Sequence, residues 1–425
     1  MGCCTNLDDF YRRVGAAAKI RYYSRLAFAS PDGHCGILNS SALPAPFHLA
    51  ASFSLFPLLA SAEKRAIARA LLSILRAAGR PSLSPDTTML DWLHQQRQPP
   101  AAISRFWRVI LVSALNEELE RTDARYGIDV FWKAFLSHRR GYEIGIPSVP
   151  LADLYDGCRD FILQQGGEVR TRAAVRALRF SGPRVSGVAL DSGNELSADF
   201  YLSAVPHNAL LDLLPATVAD REPVFGTLRR LETSPITGVH FWLDRRVLSE
   251  PFLTLLDRTT QWIFNKSLLY APSDPHQAVR SSSEFPVFNS QLPSAQYLQL
   301  VISASRSLLP MSRQEITDLC FRELKEFLPA ARDARLVKAT VIKETSATFS
   351  PAPGSDRWRP SQKCPIDNLF LAGDWTATGW PATMEGAVRS GYLAAQAILS
   401  ADGRSQTLLQ PDLPTEPLAR LLSRG

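Results

Sequence analysis

The chain has 425 residues, of which 45% are hydrophobic, and this is enough for two intertwined domains with a sizeable core. Its 47 Lys and Arg residues against 41 Asp and Glu give a net charge of +6 without a long basic run, which argues against a protein that binds nucleic acid. The six cysteines contain no CxxC pair, and HExxH, GxSxG, GKS and GKT are absent, so no zinc site, thioredoxin-type centre, hydrolase nucleophile elbow or phosphate loop is indicated.

Residues 33–62 contain no Asp, Glu, Lys or Arg, and prolines and serines interrupt them. A membrane-spanning helix needs about twenty consecutive apolar residues, which this stretch lacks. The stretch predicts a buried helix with its lead-in loop; the alternatives are an apolar wall of a lipid-substrate tunnel or a face that dips into a membrane. Residues 61–78 place apolar and basic side chains at helical spacing, which predicts an amphipathic helix with a basic face.

Further helices are predicted at four places: 88–96, 101–119, 130–136 and 147–165. The first of them has a Thr or Asp start signal. The last is followed by Gly166 and Gly167, which are typical of a helix end. The predicted helices up to residue 137 indicate a helical subdomain on the substrate side of the protein, over 47–137.

Residues 168–206 predict short strands, because SGP and DSGN turns divide them at close spacing. A substrate domain is predicted over 223–360. Its predicted elements are strands 237–244, 297–305 and 336–343, a strand-rich part 255–269 with Trp262 and Phe264 on one face, an amphipathic helix 313–327 and a loop 349–360. The polar residues 402–425 predict a loose tail.

Residues 369–399 read LFLAGDWTATGWPATMEGAVRSGYLAAQAIL. They predict a buried strand over 369–372, a turn that contains Gly379 and Pro381, and a helix over 384–399. One face of that helix is predicted to carry small residues, namely Gly386, Ala387, Ser390, Gly391 and Ala394. Because a helix start offers free N–H groups and the positive end of the helix dipole, this strand–turn–helix suits an anionic cofactor. The alternative is a plain βα unit.

The string AGDWTATGWPATMEGAVRSGYLAA resembles the C-terminal flavin-binding signature of the amine oxidase and phytoene desaturase superfamily of FAD enzymes. Within that superfamily it is most similar to the squalene-associated branch, the hydroxysqualene dehydroxylases of hopanoid synthesis. The resemblance implies FAD as cofactor and an α/β (α+β) fold. That fold is a Rossmann-like FAD domain, incomplete at its N-terminus, interleaved with a mixed sheet-and-helix substrate domain as in amine oxidases.

The resemblance also implies which residues contact FAD. Beside the signature itself, it covers the strand pattern that begins at GGEV and the strand that ends in SAVP. The implied FAD contacts are Val169, Ala204, Pro206, Gly373, Asp374, Trp380, Pro381, Ala382, Thr383, Met384 and Glu385. The implied domains are 1–46 (remainder of the FAD domain and lead-in), 47–137 (helical subdomain), 138–210 (FAD segment), 211–361 (substrate domain), 362–400 (C-terminal FAD segment) and 401–425 (loose tail).

The sequence contains no GxGxxG, the fingerprint with which FAD domains of this superfamily approach the pyrophosphate. Its first residues, MGCCTNLDDFYRRVG, resemble a segment that follows the fingerprint's βαβ unit. A misassigned start codon, a truncated gene product and a chain that functions without the fingerprint all account for this. We favour a misassigned or truncated start.

The resemblance implies an FAD-dependent oxidoreductase that removes the hydroxyl group of hydroxysqualene reductively and gives squalene. Such a reaction needs a dry, aromatic-lined cavity with one or two hydrogen-bond donors that help the C–O bond to ionise. The alternatives are a carotenoid (phytoene-type) desaturase, a flavin amine oxidase, or an inactive truncated member that binds a membrane or a partner enzyme. No catalytic residue is assigned, since His240, Tyr142, Asp244 and Trp380 are candidates by position only. His240 on an apolar strand is more often a core residue.

A lipophilic C30 isoprenoid is the expected partner, and no metal or nucleic acid is expected. Scattered thiols and the lack of a signal peptide predict a cytoplasmic protein. The lipid substrate and the uncharged stretch 33–62 predict peripheral contact with the inner membrane face. Association with other enzymes of the squalene pathway is a further expectation.

Overall fold

The protein is described here from a computed structural model, which covers residues 1–84, 86–271 and 296–423. Residues 272–295 of the predicted substrate domain and the last two residues of the predicted tail lie outside the described residues. The strands are β1 (Ile20–Tyr23), β2 (Arg25–Ala29), β3 (Cys35–Asn39), β4 (Ile144–Pro147), β5 (Val175–Ser181), β6 (Arg184–Leu190), β7 (Glu195–Leu196), β8 (Tyr201–Ser203), β9 (Thr233–Leu243), β10 (Phe252–Leu255), β11 (Trp262–Asn265), β12 (Gln296–Ser303), β13 (Leu336–Phe349) and β14 (Leu369–Leu371).

Helices surround these strands in the described ranges. They are α1 (Thr5–Arg13), α2 (Ala50–Ser54), α3 (Ser61–Arg76), α4 (Met89–Gln95), α5 (Pro100–Ala102), α6 (Val109–Leu115), α7 (Ala124–Phe131), α8 (Leu151–Gln164), α9 (His207–Leu213), α10 (Ala216–Arg221), α11 (Pro223–Leu228), α12 (Lys266–Leu269), α13 (Arg313–Phe327), α14 (Met384–Ala401) and α15 (Pro417–Leu422). None of these helices is both long enough and apolar enough to cross a membrane.

The largest sheet is mixed and has the strand order β13-β9-β12-β11-β10-β2-β3. Along β9, alternate side chains point to opposite faces, as the two-residue period of a strand requires. Val239, Phe241 and Leu243 are fully buried and share a core with Ile316 and Leu324 of the amphipathic helix α13. The opposite face of the sheet carries partly buried aromatic and polar side chains, described below.

In the described part of the chain, three smaller sheets lie in the predicted FAD segments, and one of them is the antiparallel pair of β1 and β4. β8 and β14 form a parallel pair with Leu369 opposite Tyr201, and β5, β6 and β7 form an antiparallel meander. β14 leads through a turn into α14, so the strand–turn–helix predicted over 369–399 is confirmed. The meander agrees with the predicted short strands, but residues 168–174 are irregular rather than extended in a strand.

The helix predicted over 101–119 is longer than the helical region in the structure, which is also interrupted. Residues Ile103–Arg108 widen into a π-helical turn between α5 and α6. α6 then ends at Asn116, whose φ of 53° is left-handed, and whose side-chain amide donates to the carbonyl oxygen of Ser234 at 3.1 Å. A left-handed asparagine is a common helix stop, and here its side chain joins the helical region to β9.

The prediction of a buried helix within 33–62 is wrong. Cys35–Asn39 forms the edge strand β3, because its backbone pairs with β2, and only the short helix α2 follows before α3. Several apolar side chains of this stretch are exposed, most strongly Leu55 with 82% of its surface accessible. The helix predicted over 61–78 is confirmed as α3.

The prediction of a loose tail is also wrong for residues 402–423. The Gln396 side chain of α14 accepts hydrogen bonds from the backbone N–H groups of Leu408 and Leu409, at 2.7 and 2.9 Å. Glu416 accepts from the N–H groups of Ala45 and Arg139, at 2.8 and 2.9 Å, immediately before α15. Polar side chains elsewhere in the chain therefore hold this segment in place.

Candidate functional site

The turn between β14 and α14 lies at the carboxyl edge of the small parallel sheet. The N–H of Ala372 donates to the carbonyl oxygen of Ser203 at 2.8 Å, and the indole N–H of Trp375 donates to that of Val205 at 3.0 Å. These bonds bring the predicted contacts Ala204 and Pro206 to the same edge as Gly373 and Asp374. In parallel sheets, ligands bind at the carboxyl ends of the strands.

Gly373 turns the chain sharply as it leaves β14. Its φ is +129°, which favours glycine, and a Cβ atom added there would collide with the indole of Trp375. The N–H of Gly373 donates to the Ser390 hydroxyl of α14 at 2.8 Å. The strand end and the helix are therefore tied together at the start of the turn. Burial raises the pKa of the neighbouring Asp374 carboxyl above its ordinary value.

Arg359 organises the turn from inside the protein. Its Nη2 donates to the carbonyl oxygens of Asp374, Thr376 and Trp380 at 3.0, 2.6 and 2.8 Å. Its Nη1 donates to the Tyr126 hydroxyl at 2.6 Å, so the same guanidinium joins the turn to the helical region. The sequence analysis missed Arg359, although an arginine within a Pro/Gly loop shortly before the signature could have pointed to it.

Trp380 lies in the turn as a buried side chain between two cations. Lys133 Nζ is 4.6 Å from the centre of its ring system and the Arg389 guanidinium is 5.6 Å away. Within the described residues, its indole N–H has no hydrogen-bond partner. Pro381 and Ala382 are buried beside it. The predicted contacts 380–382 therefore form a packed, rigid part of the turn.

α14 begins at the end of this turn with a capped first turn. The Thr383 hydroxyl accepts from the N–H of Gly386 at 3.1 Å, which satisfies one of the free donors of the helix start. Gly386, Ser390 and Ala394 form a buried small-residue face, as predicted, but Ala387 and Gly391 lie on a neighbouring face. That face lines an open groove of about 470 Å³ bounded by Leu7, Phe10, Tyr155, Met384, Ala387, Val388, Gly391 and Tyr392.

Glu385 is fully buried, and its carboxylate is bonded inside the protein. It accepts from the N–H of Asn6 at 3.3 Å, from the Asn6 side chain at 2.9 Å and from the N–H of Leu7 at 2.8 Å. It also lies 3.5 Å from the Arg389 guanidinium. The carboxylate therefore satisfies the start of α1, where a negative charge stabilises the helix dipole.

Three other predicted residues lie elsewhere. Val169 is partly exposed in the irregular chain after α8, and no hydrogen bond in the described ranges joins it to the turn. The Tyr142 hydroxyl donates to the carbonyl oxygen of Ser24 at 2.7 Å and accepts from the N–H of Ser40 at 3.0 Å, so it has a structural role. Asp244 accepts from the N–H of Arg335 at 2.9 Å at the end of β9. Neither Tyr142 nor Asp244 remains a candidate for catalysis.

His240 belongs to the aromatic face of the large sheet, on the side opposite α13. Its Nδ1 lies 2.8 Å from the Tyr297 hydroxyl, and the Tyr297 ring stacks on Trp242 with centroids 4.8 Å apart. On the next strand, Trp262 and Phe264 stack at 5.8 Å, which confirms that they share a face. We call these five side chains the aromatic face. His240 lies on this face and is not part of the apolar core beneath the sheet.

Lys266 follows the aromatic face at the start of α12 and was also missed by the sequence analysis. Its ammonium lies 5.0 Å from the Tyr270 ring and 5.7 Å from the Phe264 ring. Burial lowers its pKa to about 8, although the side chain keeps some accessible surface. The sequence feature that could have identified Lys266 is a lysine directly after an apolar, aromatic strand.

The residues of the turn fit an anionic cofactor with a flat ring system. The start of α14 supplies backbone donors, Gly373 allows a close approach to the backbone, and the indole N–H of Trp380 is a buried donor without a partner among the described residues. The structure brings together all the predicted contacts except Val169, with Glu385 turned into the interior. FAD thus has a consistent place on this chain.

Comparison with known proteins supports a flavin cofactor. The family model described as flavin-containing amine oxidoreductase matches residues 25–399. The chain is 26% identical to the zeta-carotene desaturase of Synechocystis, over 96% of this chain and 87% of that protein. It is also 26% identical to the 15-cis-phytoene desaturase of Synechococcus elongatus, over 94% of this chain and 84% of that protein.

Among solved structures, an oxidoreductase from Methanosarcina mazei is similar in fold, with a TM-score of 0.65 at 15% identity, covering 90% of this chain and 82% of that one. Because the family model spans most of the chain, the family assignment also explains the strand–turn–helix and the fold. The chain therefore belongs to the flavin-containing amine oxidoreductase family and is an FAD-dependent oxidoreductase.

Proposed function

We propose that this oxidoreductase acts on a long-chain isoprenoid and removes the hydroxyl group of hydroxysqualene reductively, giving squalene. The aromatic face is the observation that carries the proposal. It offers stacked rings with a few isolated donors, which suits a hydrocarbon chain that bears one polar group. The resemblance of the signature at 373–391 to the squalene-associated branch gives the specific substrate.

FAD would be held at the carboxyl edge of the parallel sheet. Gly373 and Asp374 would contact it from β14, and Ala204 and Pro206 from β8. The start of α14, from Ala382 to Met384, would direct its N–H groups at a polar part of the cofactor. When bound and reduced, FAD supplies the hydride that replaces the hydroxyl group.

The aromatic face would stabilise the positive charge that develops when the C–O bond ionises. The faces of Trp and Tyr rings attract cations, and they offer no strong nucleophile that could trap the substrate carbon. The Tyr297 ring stacks on Trp242 with an angle of 3° between their planes, and the Lys338 ammonium lies 4.8 Å from the Trp242 ring, so the rings left for a substrate cation would be those of Tyr297, Trp262 and Phe264. The same rings would exclude water from the reacting carbon.

Carotenoid desaturation is the second candidate, and the desaturases among the relatives favour it. Desaturation takes hydride from the chain, whereas dehydroxylation gives hydride to it. The two reactions therefore need opposite oxidation states of the flavin at the start. Both would use an apolar, aromatic surface, but only dehydroxylation has a use for a proton donor beside it.

The test is product analysis under two conditions. The FAD-loaded protein is incubated anaerobically with a flavin reductant and hydroxysqualene, and separately with phytoene and a quinone acceptor. Squalene in the first mixture and no desaturated product in the second are expected. Desaturated carotenoid without squalene would replace this proposal by the second candidate.

A variant pair connects the product to the aromatic face. Phe264→Leu should lower the rate of squalene formation at least about tenfold, because it removes one ring of the Trp262 stack. Phe321→Leu is the control, since Phe321 is a partly buried ring on the α13 side of the sheet, 5.7 Å from Phe241. Equal rates of squalene formation in the two variants would show that the reaction does not depend on the aromatic face.

We also propose peripheral contact with the inner membrane face through the stretch that precedes α3. Leu43, Phe47 and Leu55 are 49%, 46% and 82% exposed, and Lys64 of α3 donates to the carbonyl oxygen of Ser54 beside them. Exposed apolar groups next to basic side chains suit an anionic bilayer. Flotation with anionic vesicles should carry the protein, and Leu55→Asp should reduce it; equal flotation of both proteins would contradict the proposal.

A further inference from the structure

Lys266 is held rigidly at the edge of the aromatic face. The preceding Asn265 accepts from the N–H of Leu268 at 3.2 Å and donates to the carbonyl oxygen of Leu248 at 2.9 Å. The next residue, Ser267, accepts from the N–H of Tyr297 at 2.7 Å. The side chains of the two residues that flank Lys266 are thus bonded to neighbouring segments, which fixes the backbone of Lys266 at the end of β11 and beside β12.

Among the described residues, the Lys266 ammonium has aromatic neighbours but no acid. In the described parts of the chain, no carboxylate lies within ion-pair distance of it. Lys133 makes a useful comparison, because it also lies over an aromatic ring but bonds the Asp129 carboxylate at 2.6 Å. A lysine with a purely structural role at such a depth would be expected to have a partner of this kind. Lys266 therefore keeps its donors available.

The hydrogen-bonded pair of His240 and Tyr297 lies on the same face. Burial, and then the charge of Lys266, lower the pKa of His240. A neutral imidazole bonded to a phenol can donate or accept a hydrogen bond. The ammonium and this pair are thus polar groups on a face that also carries Gln299, between Phe264 and His240, and Lys338 beside Trp242.

We propose that Lys266, supported by the His240–Tyr297 pair, is the subsite that receives the oxygen atom of an isoprenoid alcohol and gives it a proton. This inference rests on the proposed function and names the proton donor for that reaction. Such a donor is what an ionising C–O bond needs, because water is a far better leaving group than hydroxide.

The proposed step balances in atoms and charge. The C–O bond breaks and both of its electrons go to the oxygen. The oxygen takes a proton from Lys266 Nζ and leaves as water, and the carbon receives the hydride that reduced flavin supplies. Lys266 is left neutral and regains its proton from solvent.

The experiment compares the binding of an alcohol with that of the matching hydrocarbon. The FAD-loaded, oxidised protein is titrated with hydroxysqualene and with squalene in detergent, with quenching of tryptophan fluorescence as the readout. Wild type should bind the alcohol more tightly than the hydrocarbon. Lys266→Met should weaken binding of the alcohol about 10- to 100-fold, as expected for a charge-assisted hydrogen bond, and leave squalene binding unchanged.

Two further variants serve as controls. Lys266→Arg keeps a cationic donor and should retain the preference for the alcohol. Lys325→Met removes a lysine that lies 4.3 Å from the Phe321 ring on the α13 side and should change neither affinity. Because unchanged squalene binding reports an intact fold, a loss of affinity for both ligands in Lys266→Met would assign Lys266 a structural role and overturn the inference.

The failure of this inference is distinguishable from failure of the proposed function. If wild type prefers the alcohol, and Lys266→Met loses that preference, the oxygen subsite stands even when no squalene is formed. If wild type forms squalene, and Lys266→Met binds both ligands and forms squalene like wild type, the function stands and the subsite is wrong.

Discussion

Replacing Arg359 by Met should weaken both the fold and the binding of FAD. Nη2 carries two N–H groups and serves three backbone carbonyl oxygens of the turn, those of Asp374, Thr376 and Trp380. Each hydrogen bond from a charged group contributes about 1.5–3 kcal/mol, so the loss from Nη2 alone is about 3 kcal/mol or more. The buried carbonyl groups would be left without a donor, which adds to the destabilisation.

Arg359→Lys keeps the charge and can bond in one direction, so we expect it to lower the free energy of unfolding by about half as much as Arg359→Met does. Arg357→Met is the control, because Arg357 is an exposed cation over Trp358 and should change the free energy of unfolding by less than about 0.5 kcal/mol. Urea denaturation gives the free energy of unfolding, and flavin fluorescence titration gives the affinity for FAD. An Arg359→Met protein as stable as the control variant, with unchanged affinity for FAD, would refute this account of the turn.

Three further predictions test other parts of the structure. Gly373→Ala should abolish FAD binding measured by flavin absorbance, because its Cβ would collide with Trp375 in a backbone conformation that favours glycine; normal FAD content would contradict this. Thr383→Ala should lower the free energy of unfolding, measured by urea denaturation, by about 1 kcal/mol, since the cap on the Gly386 N–H is lost. A change within error of zero would show that the cap is dispensable. Burial lowers the pKa of His48 to about 4, so His48 takes up a proton at a higher pH in the unfolded chain than in the folded protein. The free energy of unfolding of wild type should therefore fall by up to about 3 kcal/mol as the pH falls from about 6.5 to 4. His48→Phe should flatten that part of the pH–stability curve, whereas an unchanged slope would assign the acid sensitivity to other groups.

Local sequence signals predicted the elements that are determined by interactions between residues close together in the chain. The helix Arg313–Phe327 has the predicted bounds, since its amphipathic period acts between residues a few positions apart. Thr88 caps α4 as predicted, accepting from the N–H of Asp91 at 3.1 Å. The prediction failed where tertiary contacts decide the outcome, as at Asn116, or at β3, where pairing with β2 makes a strand of an uncharged stretch.

The candidate site shows the same division. The turn at 373–383 could be predicted because its glycines, its cap and its helix are adjacent in the chain. Arg359 could not be predicted, since its role depends on three segments meeting around one guanidinium: its own loop, α7 with Tyr126, and the turn with Trp380. Lys266 is one of eight lysines in the sequence, and its lack of an acidic partner among the described residues is a property of the fold around it.

The buried carboxylate of Glu385 joins residues that are 379 positions apart in the chain. A contact of that span closes a loop that contains most of the molecule, so it forms only after the intervening elements have reduced the entropy of closure. During synthesis, α1 leaves the ribosome early and has no partner for its first N–H groups until α14 has emerged. The order in which the chain is made thus places assembly of the cofactor site at the last stage of folding.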